Sequence, residues 1–273
     1  MPDIKSEADY WEAQKQAVMF RKTASRTAIA NTWFSVVDLA GSPGAGALAV
    51  GNTANGIVPT DALAGAPPIN AFNALGIGRL TRFEFSSTVA CRIRVFERLF
   101  SAGAYAFNAN TALAAQPSFA SQVNFRNPVT DADANDYKGL ELWAEMVTAA
   151  TGNQAVNVNY LDQDGNAGTT GAIGIGAAPT VGRCWQLPLA GGDNGIQRVD
   201  NIAGSVATVG TFNVHVLRPL LTGRVATAGG GATWDQFLTG GKQLFDTSNL
   251  YVLVAPDSTA TGIFDLEIEV ANR

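Results

Sequence analysis

The sequence predicts an all-β protein, an antiparallel β-sandwich of jelly-roll type, on three observations. Apolar and polar residues alternate with period two in eight or more runs from about residue 28 onward. Turn residues, chiefly Gly, Asn, Asp and Pro, separate those runs at short intervals. The make-up is also that of packed surfaces and ordered loops: 29 Gly, only 15% charged residues and a single histidine. Two exceptions to the β pattern are expected, an N-terminal helical arm and one short helix near residues 233–239. The chain then divides into an arm, residues 1–27, and a β body, residues 28–273.

In order, SEADYWEAQKQAVMFRK, residues 6–22, reads as a helix. Ser6 caps it with Asp9 at the N3 position, and Tyr10, Ala13, Ala17 and Phe20 repeat at helical spacing. Such a helix rests on its own domain or extends onto a neighbouring subunit. A strand follows around Thr32–Leu39, then a Gly-, Ala- and Pro-rich stretch over 41–78 that reads as a long loop. The most regular alternation lies in LTRFEFSSTVACRIRVFERLF, residues 80–100. Phe83, Phe85, Val89, Cys91, Ile93 and Val95 share one parity, and Arg82, Glu84, Arg92 and Arg94 the other. The first set predicts the sandwich interior and the second a charged outer face whose arginines meet water or the acids of an adjacent chain.

Residues 101–138 read as loops with one or two short strands. GLELWAEMVTAATGNQAVNVNYLDQDG then predicts a β-hairpin, with Leu140–Met146 and Val156–Tyr160 on either side of a Thr151–Gln154 turn. Further strands are expected at Cys184–Leu189, at Ile196–Ile202, and at Phe212–Val216 with an end at Pro219. Thr233-Trp234-Asp235-Gln236 reads as a capping box opening the short helix, and Leu250–Ala255 with Ile263–Val270 as a closing hairpin.

Composition excludes several function classes. A net charge of −5, with no basic cluster beyond Arg21-Lys22 and nearby Arg26, argues against a phosphate-tracking nucleic-acid surface. The start MPDIKSEADYWEAQK has no apolar core, and no window approaches 18 apolar residues, so neither a secretory signal nor a membrane span is expected. Cys91 and Cys184 are too few for a disulfide framework or a four-cysteine metal site. They read as buried thiols of a protein assembled in a reducing cytosol, with one bridge open on count alone.

No catalytic, cofactor or metal signature emerges. His215, between Val214 and Val216, reads as a surface or interface histidine on the polar side of its strand, without a nucleophile elbow. Asp162, Asp164 and Asn166 match the start of an EF-hand loop, yet Ala167 and Ile173 stand where glycine and glutamate are required. Asp131, Asp133 and Asn135 fail in the same way, so both read as turns. The Gly44-Ala45-Gly46 and Gly174-Ile175-Gly176 strings open no helix and carry no nucleotide motif. Glu141 and Glu145 are expected to point outward with Trp143 from one strand, a solvated or subunit-facing surface rather than a glycosidase pair. The chain is therefore expected to be no enzyme, and its candidate interface residues are Trp11, Phe20, Arg82, Arg92, Arg94 and Trp143.

The hairpin region GLELWAEMVTAATGNQAVNVNYLDQDGNAGTTG, then LPLAGGDNGIQRVDNI and GTFNVHVLRPL, resembles virion structural proteins of tailed bacteriophages. The opening SEADYWEAQKQAVMFRKTASRTAIANTWFSVVDLAG has the same character. The resemblance implies a capsid decoration or cement protein that binds and stabilises the head surface through large subunit interfaces. It implies two partners, further copies of the chain in a homo-oligomer (a trimer by default) and the major capsid protein. The virion is the implied location, after assembly in the host cytoplasm. A neck or tail component, or a carbohydrate- or receptor-binding module using Trp143 or Trp185 as a stacking platform, is the alternative.

Overall fold

The structure, a computed structural model, describes residues 4, 6–50, 52–72, 77–126, 133–135, 137–177, 179–205, 209–235 and 241–273. A short helix, α1 (Glu7–Glu12), is capped by Ser6, whose Oγ accepts from the Asp9 amide at 3.2 Å. Then come β1 (Gln14–Lys22), β2 (Trp33–Ser35), β3 (Gly41–Ser42), β4 (Ile77–Ser87), β5 (Cys91–Ala106) and β6 (Asn110–Ala112). A 3-10 turn, Ala120–Val123, leads to β7 (Asn124–Arg126), β8 (Asp133–Asn135), β9 (Glu141–Thr148), β10 (Asn153–Asp162), β11 (Ala167–Thr169) and β12 (Ile173–Ala177). The chain finishes with β13 (Arg183–Leu187), β14 (Ile196–Gly204), β15 (Thr211–Val225), β16 (Gly231–Asp235), β17 (Gln243–Phe245), β18 (Leu250–Pro256) and β19 (Phe264–Asn272).

The protein is nearly all β, and its sheets are antiparallel. At the centre is a closed barrel in the order β13-β2-β18-β5-β15-β9. A six-stranded sheet, β16-β4-β19-β1-β3 with β17 also on β4, covers one part of its outer wall. A five-stranded sheet, β11-β10-β14-β6 with β12 also on β10, covers another. The long strands β5 and β15 pair from Thr211↔Ala106 to Val225↔Cys91 and so run past both outer sheets. Cys91, Ile93 and Val95 of β5 meet Phe83, Phe85, Leu266 and Ile268 of the six-stranded sheet. Farther along the same two strands, Phe100, Tyr105, Val214 and Val216 meet Val156, Val158 and Ile202 of the five-stranded sheet. A third cluster, with Phe96, Trp143, Leu217, Tyr251 and Leu253, fills the barrel.

The apolar parity of residues 80–100 does face the interior, as its alternation predicts. Several other expectations are corrected. The helix foreseen over residues 6–22 stops at Glu12, and residues 14–22 are strand β1, paired with β19. Val18, Phe20 and Lys22 are buried while Ala17, Met19 and Arg21 are exposed, a period of two that outweighs the helical spacing of Ala13, Ala17 and Phe20. The capping box does not start a helix: Trp234 lies in β16, opposite Phe83, with its ring 5.0 Å from the Phe83 ring. Residues 236–239 of that expected helix lie outside the described residues, as does Asp131 of the second acidic loop. The strand expected over Thr32–Leu39 is confined to Trp33–Ser35.

Neither expected hairpin is a hairpin. β9 belongs to the barrel and β10 to the five-stranded sheet, while β18 belongs to the barrel and β19 to the six-stranded sheet. In each case the two strands face each other across a core instead of lying side by side, as β4 and β5 also do. The strand expected to end at Pro219 continues to Val225. A register shift between Pro219 and Leu221 accommodates the missing amide hydrogen.

Candidate functional site

The six sequence-predicted interface residues fall in four places. Trp11, on α1, is 69% exposed and donates Nε1–H to Glu7 Oε1 at 3.2 Å. Arg82 lies on the outer face of the six-stranded sheet, bonded to Glu267 at 2.9 Å and Glu84 at 3.4 Å. Phe20 is on the opposite, inner face and fully buried, stacked on Phe264 at 5.9 Å, so it is core and not surface. Arg92, Arg94 and Trp143 meet at the barrel. Arg94 bonds Glu141 at 2.6 Å and lies 4.5 Å from the Phe96 ring and 5.4 Å from that of Trp143. Arg92 lies 5.5 Å from the Trp33 ring. Trp143 is 2% exposed and gives its Nε1–H to Glu141 Oε2 at 2.7 Å.

The outer face of the six-stranded sheet, around Arg82, holds an open groove of about 490 Å³. It is lined by Met19, Arg21, Glu84, Thr233, Asp265 and Glu267. Its charges are satisfied within the sheet, since Arg21 pairs with Asp265 and Arg82 with Glu84 and Glu267. α1 closes one end of this face, where Tyr10 donates to Glu269 at 2.9 Å and Arg273 pairs with Asp9 and Glu12.

The barrel interior contains a polar cluster that the sequence reading missed. His215 is not at the surface but 1% exposed, and Glu145 is fully buried rather than outward-facing. His215 Nδ1 meets Ser101 Oγ at 2.7 Å, and its Nε2 meets Glu145 Oε2 at 3.0 Å. Asn213 Nδ2 donates to the same carboxylate oxygen at 3.0 Å, and the Tyr251 hydroxyl donates to Oε1 at 2.7 Å. Burial by itself would raise the Glu145 pKa, but the bonds and charge of His215 and the Tyr251 hydroxyl outweigh it and hold the group near 2. Burial lowers the His215 pKa, and the Arg98 guanidinium adds to this while Glu145 opposes it. Cys184 lines the same interior, its thiol pushed well up by burial, and both cysteines are free.

Ser101, His215 and Glu145 are thus connected as a hydroxyl, an imidazole and a carboxylate, the groups of a nucleophilic triad. Ser101 is wholly buried, however, so no substrate carbonyl reaches its Oγ. The cluster ties β5, β9, β15 and β18 together through side chains. Its signal in the sequence was the parity itself: Glu145 shares a side with Trp143, and His215 with Leu217, which is the barrel side of strands buried on both faces.

A second buried group lies beside it. Glu97 accepts from Arg218 Nε at 2.8 Å and from Ser248 Oγ, while Arg98 donates to Asn249 Oδ1 at 3.0 Å and lies 5.0 Å from the Tyr251 ring. The Asp162 loop is a turn built by its own side chain: Oδ1 accepts the Asp164 and Asn166 amides, each at 2.8 Å. Among the described residues no cluster of three His, Cys, Asp or Glu side chains is placed to hold a metal ion.

No protein-family model matches the chain. No curated protein sequence matches it either. Among solved structures it is matched to infectious bursal disease virus. The Gx strain structure is 9% identical, over 95% of this chain and 80% of that chain, at a TM-score of 0.16. Virus-derived T=1 particles are 11% identical, over 99% and 79%, at 0.18. The Gt strain structure is 10% identical, over 95% and 81%, also at 0.18. TM-scores this low define no shared fold.

Proposed function

We propose that this chain is a non-enzymatic structural protein of a virion. One observation carries the reading: the connected hydroxyl, imidazole and carboxylate of Ser101, His215 and Glu145 are sealed in the barrel and bonded to one another, whereas the broad faces and edges of the outer sheets stay open to partners. In its finer form, supported by the resemblance of the hairpin and C-terminal runs, it is a decoration protein of a tailed-phage head. It binds the major capsid protein and further copies of itself after assembly in the host cytoplasm. Trp11 and Arg82 remain as surface anchors, while Phe20 and Trp143 serve the core. The buried Trp143 offers no ring face to a sugar, which leaves the half-buried Trp185 as the remaining stacking platform of the glycan-binding alternative.

The test is to count copies per virion and to add purified protein to particles lacking it. Hundreds of copies and saturable rebinding to the head are expected. A dozen copies or fewer would move the protein to the neck or tail, and absence from the particle would end the structural reading.

A further inference from the structure

Strand β1 leaves one edge of the six-stranded sheet unpaired. On one side it bonds β19 along its whole length, from Gln14↔Asn272 to Lys22↔Phe264, without a register shift. On the other side β3 reaches only Arg21 and Lys22. There the Thr23 amide donates to the Ala40 carbonyl at 2.9 Å. A Cβ on Gly41 would lie 2.1 Å from the Arg21 carbonyl oxygen. Residues 21 and 23 therefore turn their main-chain groups toward β3. Because these groups alternate along an unbulged strand, Lys15, Ala17 and Met19 turn theirs to the same side, beyond the end of β3. Among the described residues, no main-chain hydrogen bond meets them there.

This edge lacks the usual protection of proline, a bulge or an outward-projecting lysine. Lys15 is folded back onto the Tyr10 carbonyl at 2.7 Å and over the Tyr10 ring at 4.3 Å. Ala17 is exposed and Met19 is 37% exposed, with the exposed Trp11 ring 5.8 Å from the Lys15 ammonium. The inner side is closed by another segment, since Gln16 grips Asn70 with both its side-chain oxygen and nitrogen, at 2.9 and 3.0 Å. What remains open is a short hydrogen-bonding edge bordered by small and apolar side chains.

We propose that this edge pairs antiparallel with the same edge of a second copy, about a two-fold axis through Ala17. Only the odd residues face outward, so only registers that match odd with odd are allowed. Centring on Ala17 engages all three open residues: Ala17 faces its counterpart, and Lys15 of each copy faces the uncharged Met19 of the other. A shift of one step toward the C-terminus would set Lys15 against Arg21, a like-charge pair, at a position β3 already occupies. The favoured register thus matches every open residue of one copy with an open residue of the other and sets no like charges opposite, which selects a second copy over an unrelated strand. It contributes about six main-chain hydrogen bonds and joins two six-stranded sheets into one. The contact is isologous, so it closes as a dimer in place of the trimer expected from shell symmetry. It stands apart from the virion reading, because it needs only the strand edge.

The experiment is sedimentation of the purified full chain over a range of concentrations, alone and as variants. Wild type is expected to show a monomer–dimer equilibrium. Ala17→Lys and Ala17→Glu place like charges on the axis, so each alone should weaken dimerisation at least tenfold, and an equimolar mixture should restore it. Ala17→Pro removes only an outward-facing amide and should give a monomer with an unchanged melting temperature. Val18→Pro removes an amide bonded to β19 and should lower that temperature. A wild type that is monomeric throughout, a dimer that survives Ala17→Pro, or charge variants that fail to dimerise when mixed would each overturn the assignment.

Discussion

A carboxylate removed from water remains an anion only where donors converge on it, and Glu145 has three: His215, Asn213 and Tyr251. This fixes the sign of the pH response. With a folded pKa near 2 against an ordinary value of 4.5, ionised Glu145 contributes about 3 kcal/mol above the unfolded pKa, lost as pH falls from about 4.5 toward 2. His215 acts in the same direction at higher pH. Its folded pKa lies below 6.5, so the unfolded chain takes up a proton first and stability declines as pH drops through that value. The groups facing the imidazole are the Glu145 carboxylate, the Ser101 and Tyr251 hydroxyls and the Arg98 guanidinium, and none of them offers water to a new charge. Melting temperature should therefore fall from pH 7 to 5 and again below 4.5. In His215→Gln, which cannot take up a proton, the upper part of that descent should flatten, and a slope equal to wild type would assign it to another group.

At the scale of elements, strand positions were legible and strand partners were not. Alternation located β4, β5, β9, β10, β14 and β19, because a half-buried strand must place every second residue in a core. The same parity fits a hairpin and a crossing between facing sheets, since in both the apolar residues of consecutive strands meet one core. Hence the alternation of β9–β10 and of β18–β19 fits neighbouring strands although each pair straddles a core. Glu145 and His215 escaped for a related reason: in a barrel covered by outer sheets, the polar parity is an interior too. The N-terminus misled through a cap that does open a helix at Ser6, followed by Ala13, Ala17 and Phe20 at helical spacing, although Ala17 and Phe20 lie on opposite faces of β1. The correction changes what truncation should do. Deleting residues 1–22 removes a strand and the buried Val18 and Phe20, each contributing about 1.5–3 kcal/mol by burial. It also bares the edge of β19. Loss of at least about 5 kcal/mol, or aggregation, is expected in chemical denaturation, and a truncated chain that unfolds with wild-type stability would show β1 to be dispensable.

At the scale of the molecule, β5 and β15 set the cooperativity. Each contributes apolar residues to the core under the six-stranded sheet and to the core under the five-stranded sheet, so neither core has a wall of its own. Between them Glu97 and Arg98, adjacent on β5, turn in opposite directions. Glu97 reaches Arg218 and Ser248, and Arg98 reaches Asn249 and the ring of Tyr251. A break of β5 at this point would leave both charges buried without partners, which opposes independent opening of the two ends. The chain should therefore unfold in one calorimetric transition despite having separate cores. Phe85→Ala in the first core and Val158→Ala in the second should each lower the whole transition, by about 3–5 and about 1–3 kcal/mol. The double variant should lower it by nearly the sum, since the sites share no partners. Two resolved heat-absorption peaks, each moved by only one substitution, would mean that the long strands do not couple the cores and that the two ends fold as separate units.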